Sequence, residues 1–426
     1  MDDLVLKPSA SMPVATYSKN EVSLILVAAC LGWGLEFFDL QLLSLYAPSI
    51  MSSLHISTTT FGAVATVQLL GTAIGGVLFG LLADQYGRRN TLMWTILVFS
   101  ISTFLVIFIS NVSMLFILRF LTGLGMGGEW AIGYSLLNEA WDPKRRGLMG
   151  GIVQASIWPA YALAILVTQV VHNWHWGFAI GVLPALSAVW VRLKCPESKV
   201  WLSYHNMRQH GNLPGELKLQ AKASAIIQIF KKDLIRFTLL GVIIVFGGQY
   251  AYYGLSQWMP TLLANTFHLT PGAKSGVLYL GSGIALLSYI GAGWLSDSWG
   301  RKKTFICFSV LTLMAYLGFS ASSLSSPKLW MVVFWYVVFN IGLGYFGIFG
   351  TWFAELFPTR ARATGSSFAY SVGRGLASAA PLVVGLLAST KSLLFGISTG
   401  VIAVLIMLTA IPFMVDRRGR QISAVE

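Results

Sequence analysis

Gly80-Leu-Leu-Ala-Asp84-Gln-Tyr-Gly87-Arg88-Arg89 recurs as Gly293-Trp-Leu-Ser-Asp297-Ser-Trp-Gly300-Arg301-Lys302, half of the 426-residue chain later. Each copy ends one long apolar stretch and begins the next. Outward from the first copy, apolar stretches cover 22–50, 61–83, 91–109, 114–139, 147–171 and 176–193. Outward from the second they cover 236–263, 273–296, 304–322, 329–355, 364–389 and 393–415. A bilayer core of about 30 Å takes roughly 20 apolar residues per helix, so each stretch is long enough to span. Lipid leaves backbone N–H and C=O groups no outside partner, and the stretches are too long for barrel strands, so all twelve are expected to be helices.

Composition points the same way. Hydrophobic residues make up 55% and charged residues 11%, with mean hydropathy +0.70. Soluble domains carry about a quarter charged residues, so a soluble enzyme or scaffold is excluded. The net charge of +13 would suggest nucleic-acid binding in a soluble protein. With both termini cytoplasmic, however, the outer loops hold only Lys274, Lys328 and Lys391 and no acid. The charge then records membrane orientation, and no nucleic-acid partner is expected. Cys30, Cys195 and Cys307 lie far apart, and the six histidines have no ligand spacing. Neither a disulfide framework nor a metal site is indicated, and no cofactor is expected. The first twenty residues, with Asp2, Asp3, Lys7 and Lys19 and no apolar run, do not read as a cleaved leader.

The long polar break divides the chain into an N-terminal six-helix half (1–193), a cytoplasmic linker (194–235) and a C-terminal six-helix half (236–426). The middle of the linker reads either as a short amphipathic helix on the anionic inner leaflet or as a solvated connector. A second echo pairs Glu139-Ala-Trp-Asp-Pro143-Lys-Arg145-Arg146-Gly147 with Glu355-Leu-Phe-Pro358-Thr-Arg360-Ala-Arg362. Two parallel six-helix repeats are the plan of a transporter that rocks about a central site.

The duplicated loop motif resembles that of the major facilitator superfamily, and the resemblance covers nearly the whole chain. Arg119-Phe-Leu-Thr-Gly123-Leu-Gly125-Met-Gly127-Gly128-Glu129-Trp130, Pro196-Glu197-Ser198, Trp258-Met259-Pro260-Thr261 and Glu355-Leu-Phe-Pro358-Thr-Arg360-Ala-Arg362-Ala-Thr-Gly365 are similar to its proton symporters for organic acids: the aromatic-acid, sialate/lactate and metabolite families. The chain departs from them in carrying Trp174-His175-Trp176-Gly177 without an arginine, and Glu36-Phe37-Phe38-Asp39 where aromatic-acid carriers tend to have Asp-Gly-Phe/Tyr-Asp. It also lacks the Pro-Glu-Thr ending of sugar porters, with Asp416-Arg417-Arg418-Gly419-Arg420 in its place. The resemblance implies that Asp39 pairs with Arg119 as a proton switch. It also implies that Asp84, Arg88, Arg89, Glu139, Arg146, Asp297, Arg301, Glu355, Arg360 and Arg362 form a cytoplasmic gate.

Charges inside the spans are informative independently, because each ionised group at mid-bilayer costs roughly 2.5–3.5 kcal/mol even on lenient scales. Five stand out: Glu36, Asp39, Arg119, Glu129 and Arg374. Glu36 and Asp39 are three apart on one helix and are expected to titrate as a coupled pair. An arginine approaching Asp39 favours its ionised form, and withdrawal favours the protonated form. The other reading is a static ion pair bracing spans one and four. Glu129 is either a second proton carrier or a neutral hydrogen-bonded acid. Arg374, between Gly373 and Gly375 and near mid-membrane, is the expected substrate anchor, since its planar fork binds a carboxylate bidentately. Permanent pairing with Glu129 or a span-one acid is the alternative. Gln154, Trp158, Gln249, Tyr250, Tyr253, Gln257 and Asn340 are candidate pocket residues or interhelical glue.

The expected function is proton-coupled uptake of a small organic anion, a monocarboxylate such as an aromatic, lactate-like or sugar acid, by alternating access in the plasma membrane. A proton-antiport efflux pump and a transport-dead sensor are the alternatives. No enzyme activity is expected, and a monomer is the expected functional unit.

Overall fold

The computed structural model describes residues 17–140, 146–180, 187, 190, 191, 193–199, 201, 202, 206, 227, 229–324, 328–357 and 362–416. Among these residues, eleven helical segments are long and apolar enough to cross a bilayer, and no strand occurs. The protein is a multi-pass integral membrane protein. Much of the sixth expected span, 176–193, and most of the 194–235 linker lie outside the described residues.

The principal helices are α1 (Lys19–Leu45), α2 (Thr58–Tyr86), α3 (Arg88–Phe104), α4 (Val112–Ala140), α5 (Arg146–Ala155) and α6 (Ile157–Val170). They continue with α7 (Ile235–Ser256), α8 (Pro271–Trp299), α9 (Arg301–Ser323), α10 (Leu329–Gly342), α11 (Phe346–Leu356), α12 (Arg362–Ala377), α13 (Ala379–Thr390) and α14 (Gly400–Ala410). Gly87 and Gly300, one in each copy of the repeated motif, have φ of +94° and +98°. That left-handed turn suits glycine and lets α2 reverse into α3, and α8 into α9, within a single residue.

Three helix breaks share one cause. Proline lacks an N–H, and its ring clashes with the carbonyl four residues earlier. Pro159, Pro260 and Pro381 stand four residues after Ala155, Ser256 and Ala377, where α5, α7 and α12 end. Carbonyls at two of the breaks, including the one that Pro260 frees at Ser256, find partners across the molecule, because leaving one buried and unpaired costs about 1–3 kcal/mol. Ser44 Oγ on α1 donates to the Ser256 and Gln257 carbonyls at 3.2 and 2.8 Å. Thr66 Oγ1 on α2 donates to the Ser378 carbonyl at 2.7 Å.

These bonds tie helices from before and after the linker at the end remote from the motif loops. Phe61 packs against Trp258 there, with ring centroids 5.8 Å apart, and Trp258 Nε1 donates to the Pro381 carbonyl at 3.2 Å. At the motif-loop end, α5 lies on α8 and α11: Gly151 sits over the Tyr289 carbonyl and Gly293, and the Leu148 N–H donates to Asp297 Oδ2 at 3.1 Å. Both ends of the interface between the two helix groups are therefore closed.

Within the first group, α2 and α4 approach backbone to backbone. A Cβ at Gly75, Gly123 or Gly127 would run into the carbonyl of Leu124, Gln68 or Thr72, the small-residue packing that membrane helices use in place of a hydrophobic driving force. Overpacking costs about 1–3 kcal/mol even where side chains can yield, and backbone yields less. Gly123→Ala is accordingly expected to lower the thermal unfolding midpoint in detergent by several degrees. An unchanged midpoint would show that these helices slide apart freely.

Candidate functional site

Midway between the two closed ends lies a narrow cavity with about 20 Å³ of free volume, room for one or two waters. Trp33, Glu36, Phe37 and Leu40 line it from α1, Gln154 from α5 and Ile157 from α6. Gln249, Tyr252 and Tyr253 line it from α7, Tyr289 from α8, Phe346 from α11, and Tyr370 and Arg374 from α12. The spacing is that of helix faces: 33, 36, 37 and 40 on α1, 249, 252 and 253 on α7, and 370 and 374 on α12 each form one stripe.

Arg374 is 4% exposed. Its Nη2 donates to Glu36 Oε1 at 2.9 Å, and its Nε donates to Tyr253 Oη at 2.8 Å. The guanidinium carbon stands 5.8 Å from the Trp33 ring centroid, within cation–π range. Around it, Gln249 Nε2 donates to Tyr370 Oη at 2.8 Å, and Gln41 Nε2 donates to Tyr252 Oη at 2.8 Å. Gln154 Nε2 lines the cavity without a hydrogen-bond partner among the described residues.

A second buried pair lies off the cavity. Arg119 Nη1 contacts Asp39 Oδ2 at 3.3 Å, with both side chains almost fully buried, and the Phe178 ring centroid lies 4.5 Å from the guanidinium carbon. Gln68 Nε2 adds a long 3.5 Å contact to the same carboxylate oxygen. Among the described residues, Arg119 Nε and Nη2 and Asp39 Oδ1 have no hydrogen-bond partner. This pair is held through one edge only.

The two span-one acids, expected to act as one coupled pair, are drawn to different arginines. Three residues turn a helix by about 300°, leaving the two side chains about 60° apart, and that offset aims Glu36 at α12 and Asp39 at α4. Arg374, for which an approaching anion was the expected partner, is already paired with Glu36. Glu129 lies elsewhere: its carboxyl presses on the Cβ-less face of Gly32, one turn before Glu36. Neither of its oxygens has a partner among the described residues.

Four pocket candidates fall outside the cavity lining. Asn340 Nδ2 donates back to the Tyr336 carbonyl of its own helix at 2.7 Å, and Tyr250 Oη bonds Thr399 Oγ1 at 3.2 Å. Trp158 stands behind the lining, edge-on to Tyr289 with centroids 5.5 Å apart. Gln257 sits at the remote closed end, where its carbonyl accepts from Ser44. The lining residues Trp33, Phe37, Tyr252, Tyr289, Phe346 and Tyr370 escaped sequence reading, although stepping back three residues from Glu36 finds Trp33, and four residues on from there finds Phe37.

At the motif-loop end, Arg301 forks onto Glu355, Nε to Oε2 at 3.1 Å and Nη2 to Oε1 at 2.9 Å, while Nη1 reaches Asp297 Oδ1 at 2.6 Å. Asp297 in turn accepts from the Leu148 N–H, so one acid joins α8, α9 and α5. Burial pushes the Glu355 carboxyl above its ordinary range, with Arg301 opposing. Glu197, not singled out from sequence as a gate residue, caps the start of α3: its Oε1 accepts from the Arg88 and Arg89 N–H groups at 2.9 and 3.2 Å. Asp416 does the same for α9, accepting from the Lys302 N–H at 3.3 Å. The side chains of Asp84, Glu139, Arg146 and Arg362, and all of Arg360, lie outside the described residues.

Residues 23–381 match the family described as Major Facilitator Superfamily. The chain belongs to that superfamily. It is 29% identical over 365 residues to a probable 4-methylmuconolactone transporter of Cupriavidus pinatubonensis, covering 84% of this chain and 82% of that one. It is 28% identical to the niacin transporter NiaP of Acinetobacter baylyi, over 83% and 84% of the two chains. It is also 28% identical to the sialic acid transporter NanX of Escherichia coli, over 84% and 85%. The solved structure of the proton:xylose symporter XylE shares the fold, with TM-score 0.75, 18% identity, and coverage of 95% of this chain and 98% of that one. The family and these relatives are transporters, and this chain is a transporter, not an enzyme.

Removing one member of a buried ion pair strands the other, at about 3–5 kcal/mol, whereas removing both is far milder. Arg119→Gln is therefore expected to lower the unfolding midpoint in detergent strongly. The Asp39→Asn/Arg119→Gln double variant should recover most of that loss. Additive losses would mean that the 3.3 Å contact carries no coupling energy.

Proposed function

We propose that the chain is a proton-coupled symporter that imports a small organic monocarboxylate, preferentially a planar or ring-bearing one. Transport proceeds by alternating access of the two six-helix halves (1–193 and 236–426) about the cavity. One observation carries this reading: a guanidinium at the centre of a membrane transporter, walled by Trp33, Phe37, Tyr252, Tyr253, Tyr289, Phe346 and Tyr370. Such a site offers a carboxylate a planar fork and offers a flat ring aromatic faces and edges. The relatives named for muconolactone, niacin and sialic acid support an acid as cargo.

Arg374 takes the carboxylate, Tyr253 orients the guanidinium, and Gln154 and Gln249 offer polar contacts to the rest of the substrate. Asp39 is the proton site governed by Arg119. With the arginine close, the ionised acid is favoured, and as the span-four helix withdraws, the site favours the protonated acid. Glu129, whose carboxylate oxygens have no hydrogen-bond partner among the described residues, is a second proton-carrying group. The clusters built on Arg301 and on the Glu197 cap of α3 form the cytoplasmic gate. The protein works as a monomer in the plasma membrane with both termini cytoplasmic.

The test is addition of a carboxylate panel (benzoate, nicotinate, cis,cis-muconate, lactate, sialate) to weakly buffered vesicles carrying the protein, with external pH recorded. An aromatic or planar acid should alkalinise the medium, and Asp39→Asn should abolish that response while sparing exchange of labelled acid. Arg374→Lys should cut uptake at least about tenfold, because an ammonium cannot reproduce the paired charge-assisted bonds. Energised export of the panel would sink the import reading. Silence across the panel from folded protein would sink transport of carboxylates altogether.

A further inference from the structure

Glu36 and Arg374 lie 338 positions apart in sequence. They reach the cavity from opposite sides and meet at 2.9 Å, 2% and 4% exposed. The groups that face Glu36 electrostatically are Arg374 and Tyr370 on α12, Tyr253 on α7, Glu129 on α4 and Asp39 on its own helix. Of these only Arg374 is a cation, and Asp39 is engaged by Arg119. The second carboxylate oxygen of Glu36 has no partner among the described residues. The free volume of about 20 Å³ beside the pair admits water but no organic acid, so loading must move a side chain, and Glu36 occupies the position that a substrate carboxylate needs.

We propose that Glu36 is a built-in stand-in for the substrate carboxylate: it occupies Arg374 in the unloaded protein, and an incoming carboxylate displaces it and thereby makes it take up a proton. This rests on the reading of Arg374 as the anion anchor. The balance is simple. Before loading, one carboxylate of the protein faces one guanidinium. After loading, the substrate carboxylate faces the guanidinium and Glu36 is a neutral acid, its O–H formed with a proton from water. One anion and one proton have entered together, and the charge of the site is unchanged. Two consequences follow for transport. The unloaded carrier can close without burying a bare guanidinium, and a carrier holding substrate but no proton has two carboxylates competing for one arginine and closes poorly. Proton uptake on loading then resides in a direct competition at one cation, ahead of the Asp39–Arg119 switch.

Purified protein in detergent is titrated calorimetrically with benzoate, nicotinate and 4-hydroxybenzoate in buffers of differing ionisation enthalpy, which counts protons taken up per acid bound. The wild-type chain should take up about one proton per acid, with affinity falling about tenfold per pH unit over the range in which Glu36 is ionised in the free protein. Glu36→Gln should bind about tenfold or more tightly at the upper end of that range, because no internal competitor remains, with no proton uptake and no pH slope. Glu36→Asp, which keeps the charge but withdraws it by one methylene, should bind more tightly than wild type and still take up a proton; it decides the matter if Glu36→Gln fails to fold. Proton uptake by Glu36→Gln equal to that of wild type, or weaker binding by both variants, would overturn the stand-in while leaving the anchor intact. Absence of binding by wild type and both variants would overturn the anchor and this inference with it.

Discussion

An arginine in a bilayer cannot discard its charge, so every structure that buries one must supply an anion or suffer the desolvation. Away from the motif loops this chain buries Arg119 and Arg374, and it answers both from the same helix: Asp39 for the first and Glu36 for the second. Much of the central architecture follows from that arrangement. α1 must run between α4 and α12, and its two acids must leave it in directions about 60° apart. The pairs differ in completeness. Arg374 is engaged through Nη2 and Nε and faces an indole ring, whereas Arg119 touches its partner with a single nitrogen and leaves Nε and Nη2 without hydrogen-bond partners among the described residues. Each arginine thus meets its acid through a single nitrogen, and Arg374 is steadied by Tyr253 as well.

Closure of both ends of the interface sets the context for those pairs. At the remote end Ser44 binds the Ser256 carbonyl that Pro260 releases, and Thr66 binds the Ser378 carbonyl at the break between α12 and α13. The breaks also fall beside the cavity. Gln154 and Ile157 flank the α5–α6 break, and Arg374 lies one turn before the end of α12. Bending at a proline therefore moves cavity residues directly. At the motif-loop end the closure is ionic and dipolar, since Asp297 serves at once the Arg301 guanidinium and the first turn of α5. Its separation would release α5, α8 and α9 together.

A good part of this was legible in the sequence. The repeated motif, its position half a chain apart and the apolar stretches around it specify the helical membrane fold, because lipid permits no other use for such stretches. Glycine at 87 and 300 is explained by the positive φ that each motif turn adopts. The buried charges could be named in advance because composition makes them conspicuous: so few acids and bases occur within the spans that each one asks for a partner. Among the neutral candidates the sequence reading did less well, and for a physical reason. Tyr250 and Tyr253 are both buried on α7, yet three residues of helix separate a cavity wall from a contact with Thr399, and nothing in local sequence says which face looks inward. Asn340 spent its amide on its own helix, a choice that apolar surroundings allow and composition does not reveal.

What the sequence by itself determined is the solvent, the helical fold and the inventory of charges. All three follow from the transfer free energies of single residues and from a repeat visible in one dimension. What only the tertiary structure decided is which charge meets which, since pairing depends on the rotation of each helix about its axis and on which helices are neighbours. Both are set by packing between residues distant in the chain, such as Gly123 against Gln68 or Ser44 against Ser256. The assignment of Glu36 to Arg374 is of that kind: two residues 338 positions apart become partners because α1 and α12 border the same cavity.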